Sequence, residues 1–172
     1  MNYIEQYLQQ IQRRKCIVSK RVRREYERLA DDIKHPKKGY VFDQKKAERP
    51  ITFIETFCKH SKGEWAGKPV RLELFQKAYI SALFGFVSET TGYRRYRETL
   101  FYVARKNGKS LLLSCIALYM LIADDEPGAE VYSVASKKDQ ARIIFDETCN
   151  MVRQSPDLLQ VVKKRKSDLY FS

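Results

Sequence analysis

The part of the sequence best suited to chemistry is Gly108-Lys109-Ser110. An apolar, β-rich segment, residues 99–103, lies upstream of it, and an apolar run of helical length, residues 111–123, follows directly. Phosphate-binding loops occur in this order of strand, loop and helix, because the backbone amides at the start of the helix point at the anion. The sequence therefore predicts a nucleotide site at this loop.

Each residue of the loop has a chemical role in that interpretation. Gly108 lets the backbone approach a phosphate closely, Lys109 reaches the β- and γ-phosphates of ATP, and the Ser110 hydroxyl ligates Mg²⁺. The loop departs from the standard G-x-x-x-x-G-K-[ST] pattern at one place, since Val103 occupies the position of the first glycine. Arg105 adds a second cation two residues later.

The composition indicates a polyanionic partner. The chain has 172 residues, 44% of them hydrophobic, a formal net charge of +12 and a pI near 9.6. It is long enough to bury a sizeable core, and its charge together with a nucleotide loop favours nucleic acid as the partner.

The four cysteines lack metal or disulfide spacing, which is typical of a protein in a reducing compartment. With no signal-peptide pattern and no apolar run long enough to cross a bilayer, we expect a cytoplasmic protein without a membrane partner.

Residues 1–40 are predicted to form a basic helical arm. Apolar residues recur at helical spacing and predict one helix or two in succession; they are Ile4, Leu8, Ile11, Val18, Val22, Tyr26, Leu29 and Ile33. The opposite face is rich in Lys and Arg, which could follow a phosphate backbone or simply face solvent. A proline and a glycine within residues 35–40 end the arm, so residues 41–172 form the second predicted domain.

The rest of the chain is predicted to alternate helices and strands. We expect a helix from Pro50 to Lys59 with the proline in its first turn, a helix from about residue 72, and a helix capped by Ser136 with Asp139 three residues on. Strands are predicted at residues 99–103, 130–135 and from 168 onward. This pattern indicates an α/β fold with a doubly wound sheet. Such sheets usually have about five or six strands, so the predicted sheet is incomplete.

Asp124-Asp125-Glu126 is an acidic cluster that follows an apolar run. Acids at the end of an apolar strand would bind Mg²⁺ in a nucleotide site, but this run is continuous with the helix that starts near Ser110. Pro127-Gly128 follow the acids. We therefore interpret the cluster as a helix end and a turn.

The loop, read together with its flanks, resembles a known family. Residues 104–110 resemble the deviant Walker A loop of the large subunits of tailed-phage terminases, the ATPases that drive DNA into capsids, in which an arginine stands in the loop and the first glycine is commonly absent. Residues 54–77 and 134–141 are similar to the segments before and after that loop. The resemblance covers roughly residues 50–155.

The resemblance implies a fold, an activity and partners. The fold would be that of a P-loop NTPase preceded by the helical arm, and ATP hydrolysis would drive the packaging of double-stranded DNA from a bacteriophage or prophage. The further partners implied are the terminase small subunit, the capsid portal and other copies of the chain in a ring, in the host bacterial cytoplasm. Full-length members also carry an endonuclease domain.

The resemblance also assigns the site residues. Lys109 and Arg105 would act on the phosphates in catalysis, and Ser110 would hold Mg²⁺. Gln76 would contact adenine, whose N6 donor and N7 acceptor match a carboxamide. The ATP-binding set is Gln76, Arg105, Lys106, Asn107, Gly108, Lys109 and Ser110.

Two alternative functions remain open at this point. One is a DNA-binding module that keeps the loop without hydrolysing ATP, and the other is a fragment of a helicase-like ATPase. No later strand ends in an acidic pair and no carboxylate cluster for two metals follows. We therefore expect a truncated or partial form that does not turn over ATP alone, since water activation is worth about 10²–10⁴ in rate.

Overall fold

A computed structural model describes residues 1–165 and 168–171. Seven α-helices and four short strands lie in the described residues. In chain order they are α1 (Tyr3–Gln12), α2 (Lys20–Lys34), β1 (Tyr40–Phe42), α3 (Gln44–Phe57), α4 (Leu74–Gly85), β2 (Phe86–Ser88), α5 (Lys109–Ile122), α6 (Lys138–Gln154), α7 (Pro156–Val161), β3 (Val162–Lys164) and β4 (Leu169–Phe171). The chain forms two compact units: a first unit of Met1–Ile51 with Leu72–Phe101, and a second unit of Thr52–Arg71 with Tyr102–Ser172. The domain boundary predicted at residue 40 stays a prediction.

The first unit is built on the predicted N-terminal helices, which the structure confirms as two. Asn2 Oδ1 accepts a hydrogen bond from the Glu5 amide at 2.9 Å, and Ser19 Oγ accepts one from the Val22 amide at 3.2 Å, so each helix starts at a polar cap. α1 packs against α2 and α4. The core of the unit comprises Ile4, Tyr7, Leu8, Ile11, Tyr26, Leu29, Ala30, Ala78 and Phe86.

β1 and β2 form an antiparallel pair in which Phe42 faces Phe86. The strands lie so close to the end of α4 that a Cβ at Gly85 would come within 2.5 Å of the Phe42 ring. Only glycine fits there without movement of the ring, and it allows α4 to turn directly into β2.

A charged cluster joins α2 to the segment after β2. Asp32 Oδ2 accepts hydrogen bonds from Arg28 at 2.7 Å and from Arg95 at 3.1 Å. The side chains of Asp32 and Arg95 are only 7% and 11% exposed, and the Arg95 guanidinium lies over the rings of Tyr40, Phe86 and Tyr96. Each buried charge therefore depends on the other for its compensation.

The second unit places α5 against α6. Leu112, Cys115 and Leu118 of α5 are fully buried, and so is Met151 of α6. β3 and β4 form a second antiparallel pair. Helix α5 agrees with the predicted helix at residues 111–123, and residues 124–126 follow its end, which confirms that the acidic cluster is not the end of a strand.

Two predicted strands are not formed. Residues 99–103 and 130–135 have no regular secondary structure, and Leu100, Tyr102 and Val134 are at least 88% exposed. A β-rich sequence forms a strand only where a neighbouring strand supplies its backbone hydrogen bonds, and no described residues do so here. The described part of the chain has two small two-stranded sheets. The predicted strand from residue 168 is present as β4, although Ser172 lies outside the described residues.

Two predicted helix starts are also wrong. α3 begins at Gln44, so Pro50 lies inside it and not in its first turn. The Asp43 side chain accepts a hydrogen bond from the Lys46 amide and starts the helix six residues earlier than predicted. Ser136 does not cap α6, whose N-cap is Lys137; the Ser136 hydroxyl instead bonds the Gln140 side chain at 3.3 Å.

Within residues 1–165 and 168–171, no helix combines the length and the apolar content that a membrane crossing requires.

Candidate functional site

The predicted phosphate loop is an exposed turn that leads directly into α5. Gly108 is the N-cap of the helix and has φ 69° and ψ 16°, in the left-handed region that glycine adopts without a steric penalty. Lys106 also has a positive φ, of 67°, which costs a residue with a Cβ about 1 kcal/mol. The turn therefore holds an uncommon backbone shape on both sides of Asn107.

Asn107 closes the turn from within. Its Nδ2 group donates to the carbonyl oxygen of Ala104 at 3.3 Å and to that of Arg105 at 3.2 Å. These two bonds compensate for part of the strain at Lys106. The structure thus gives Asn107 a role in shaping the loop, while its predicted contact with ATP stays a prediction.

The start of α5 presents unused backbone donors. The first intrahelical hydrogen bond runs from the Leu112 amide to the Gly108 carbonyl at 2.9 Å, so the amides of Lys109, Ser110 and Leu111 have no partner inside the helix. No side chain of the described residues caps this end. The positive end of the helix dipole lies at the same place, and together these features fit a phosphate group.

The side chains of the loop are available for a ligand. Arg105 and Lys109 are exposed, and neither forms a salt bridge with a described residue. Ser110 is half-buried in the first turn of α5, and its hydroxyl has no hydrogen-bond partner among the described residues. Cations for the phosphates and one oxygen for a metal are therefore present within six residues.

Tertiary packing fixes the position of the helix that carries the loop. Ser114 donates a hydrogen bond to the Ile144 carbonyl of α6 at 3.1 Å, and the Tyr119 ring lies edge-on to Phe53 with centroids 5.6 Å apart. A hydrogen bond with Cys58, together with burial, raises the pKa of the Cys115 thiol well above its usual range. Cys115 is fully buried and is therefore a packing residue of the helix.

Gln76, the predicted adenine contact, lies in the first turn of α4, in the first unit. It is buried, and its Oε1 accepts a hydrogen bond from the Glu73 amide at 2.9 Å. Such a bond is one half of a capping box. Gln76 therefore already has a structural role, which is to stabilise the start of α4. A carboxamide oxygen has a second lone pair and the Nε2 group two donors, so the adenine contact stays a prediction.

Sequence reasoning missed one feature of the second unit. Residues 58–70 form a closed hairpin loop that exposes Trp65. The sequence signal for this exposed loop is a single Trp that lies between two glycines and is flanked by several lysines.

Comparison with known proteins gives three similarities. The family model described as "Terminase large subunit, ATPase domain" matches residues 74–169, more than half of the chain. The terminase large subunit of Enterobacteria phage HK97 is 34% identical over 118 residues, which cover 68% of this chain and 22% of that protein. The crystal structure of the HK97 large terminase is 29% identical, with a TM-score of 0.57, and covers 73% of this chain. This chain spans 25% of that solved structure.

Proposed function

Because the chain belongs to the family of the terminase large subunit ATPase domain, we propose that the loop at residues 104–110 binds Mg·ATP and that the activity it serves is DNA packaging. The observation that carries the proposal is the start of α5 and the turn before it. Amides that are unused inside the helix, a helix end that no described side chain caps, and two exposed cations without a described salt-bridge partner lie there within residues 105–111.

Each residue has one task in the proposed site. The amides of Lys109, Ser110 and Leu111 bind the phosphate oxygens, and Lys109 neutralises the charge on the β- and γ-phosphates. Arg105 binds the terminal phosphate, Ser110 supplies one oxygen to Mg²⁺, and Gln76 contacts the adenine. Bound Mg²⁺ would neutralise charge on the phosphates.

The proposed fold is a P-loop sheet. Residues 99–103 and 130–135 have no regular secondary structure here, and in the proposed sheet they would form strands on either side of α5 only where neighbouring strands pair with them. Its support is the strand, loop, helix and strand order of the sequence and the exposed apolar side chains of those segments, such as Leu100 and Val134. Apolar side chains that are this exposed are suited to cover by further strands. The proposed partners in packaging are double-stranded DNA, the small subunit, the portal and other copies of the chain, in the host cytoplasm.

Arg105→Ala tests the orientation of the nucleotide. We expect it to weaken ATP binding about 10- to 150-fold and ADP binding less than about twofold, because a charge-assisted hydrogen bond is worth about 1.5–3 kcal/mol and only ATP carries the γ-phosphate. Displacement of a fluorescent ATP analogue by each nucleotide measures both affinities. Arg105→Lys should recover only part of the loss, since an ammonium group cannot make a bidentate contact. Equal losses for ATP and ADP would place Arg105 elsewhere on the nucleotide.

Binding to double-stranded DNA should depend on salt and not on sequence. The basic residues of the arm are exposed on α2 and in the turn between α1 and α2; they include Arg13, Arg14, Lys15, Lys20, Arg21, Arg23 and Arg24. Contacts to phosphate weaken steeply with salt and carry no base information. Titrations of unrelated duplexes at two salt concentrations measure this. Strong discrimination between duplexes, or affinity that ignored salt, would favour a sequence-reading module instead.

A further inference from the structure

The loop at residues 58–70 is rigidly built around an exposed tryptophan. Backbone hydrogen bonds close it into a hairpin, from the His60 amide to the Lys68 carbonyl at 2.9 Å, from the Gly67 amide to the His60 carbonyl at 2.8 Å and from the Val70 amide to the Cys58 carbonyl at 3.0 Å. A 3-10 turn, Gly63–Trp65, forms its tip. Trp65 is 60% exposed, so the fold fixes its backbone without burying its indole.

The base of the loop is anchored to α6. The Ser61 hydroxyl donates a hydrogen bond to the Glu147 carboxylate, and Lys62 Nζ lies 3.2 Å from the other oxygen of that carboxylate. Glu147 is only 13% exposed, so this contact holds the loop against the helix. A side chain on such a loop loses little conformational entropy when it binds a partner.

One cation and one aromatic ring lie against the indole. Lys68 Nζ lies 4.7 Å from the ring centroid of Trp65, and the His60 ring is tilted against it at 6.2 Å. Residues 58–70 contain three lysines, Lys59, Lys62 and Lys68, and a single carboxylate, Glu64. The loop therefore combines one broad apolar ring with an excess of positive charge.

We propose that the loop at residues 58–70 binds single-stranded nucleic acid, with an unpaired base stacked on Trp65 and the adjacent phosphates on Lys68 and Lys59. An aromatic platform flanked by cations is the arrangement by which proteins bind single strands without reading sequence. An acidic polypeptide would satisfy the lysines but would leave the indole without a planar partner. The inference rests on the proposed function only for its choice of nucleic acid as the polyanion.

Trp65 is the chain's only tryptophan, so its fluorescence reports directly on this site. We expect an oligothymidylate or oligouridylate of about ten nucleotides, within the usual site sizes, to quench it in a saturable manner that high salt reverses. Poly-aspartate should leave the emission unchanged. Binding of the oligonucleotide without quenching, or quenching by poly-aspartate alone, would overturn the proposal.

The affinity of variants is measured by the anisotropy of a labelled oligothymidylate. Trp65→Ala should weaken binding about 5- to 150-fold, since stacking on an aromatic ring is worth about 1–3 kcal/mol per base, and Trp65→Phe should lose less. Lys68→Ala should cost about two- to fivefold, because an exposed ionic contact is worth about 1 kcal/mol or less. Tyr93→Ala is the matched control, as Tyr93 is 65% exposed and also lies beside an arginine.

Equal affinity of wild type and Trp65→Ala, or an equal loss in Tyr93→Ala, would contradict the proposal. Binding of Mg·ATP by Trp65→Ala should remain at the wild-type level. A chain that failed to bind ATP but still showed quenched Trp65 emission would disprove the nucleotide site and leave this site intact. The opposite result would disprove this site alone.

Discussion

Lys109→Ala is expected to lower the affinity for Mg·ATP about 100-fold or more. The Lys109 ammonium is exposed at the first position of α5 and forms no salt bridge with a described residue, so its removal should not disturb the fold. Two charge-assisted hydrogen bonds to the β- and γ-phosphates are worth about 1.5–3 kcal/mol each. The helix amides remain in the variant and account for the residual binding.

Thermal denaturation with and without nucleotide measures this effect. At about 100 times its Kd, a ligand stabilises the native state by about 2.7 kcal/mol, which raises the Tm of a chain of this size by about 5–10 °C. Wild type should show this rise with Mg·ATP, and Lys109→Ala should show almost none at the same concentration. If Mg·ATP raised the Tm of Lys109→Ala as much as that of wild type, Lys109 would not contact the phosphates.

Asp32→Ala is expected to destabilise the first unit by about 3–5 kcal/mol. The substitution leaves the Arg95 guanidinium, which is 11% exposed, without its carboxylate, and an uncompensated buried charge costs about this much. Arg28 is 38% exposed and can turn its charge toward water. Urea denaturation followed by near-UV circular dichroism measures the free energy of unfolding.

The neighbouring residue on the same helix supplies the control. Asp31 is 70% exposed and pairs with His35 at the surface, so Asp31→Ala should change stability by less than about 0.5 kcal/mol. The double variant Asp32→Ala with Arg95→Leu should recover much of the loss, because it removes the unpaired charge as well. If Asp32→Ala unfolded at the same urea concentration as Asp31→Ala, the contacts of Asp32 with Arg28 and Arg95 would not contribute to stability.

The sequence predicted the parts of the fold that local physics determines. Helix α5 and the break after α2 follow from apolar spacing and from proline and glycine, and both are confirmed within one to two residues. The position of the predicted phosphate loop directly before α5 also follows from the spacing of neighbouring residues. The family resemblance read from residues 104–110 is likewise confirmed by the match over residues 74–169.

What the sequence did not predict depends on contacts distant in the chain. Residues 99–103 have the composition of a strand, but a strand needs a hydrogen-bonding neighbour that composition cannot supply. The left-handed conformation of Lys106 is a local exception, because it occurs with hydrogen bonds from Asn107 to the Ala104 and Arg105 carbonyl groups that the residue types alone do not predict. The exposure of Trp65 follows from the closure of its loop and from the Glu147 anchor on α6.

Isothermal titration calorimetry of Mg·ATP into wild type, Lys109→Ala and Lys138→Ala tests the proposed site most directly. Lys138 is the matched control, because it is an exposed lysine at the first position of α6, as Lys109 is at the first position of α5. We predict saturable binding at one site for wild type and Lys138→Ala, and heats close to those of dilution for Lys109→Ala. Equal binding by all three proteins, each with the same cooperative thermal transition, would contradict the assignment of Gly108-Lys109-Ser110 as the phosphate loop.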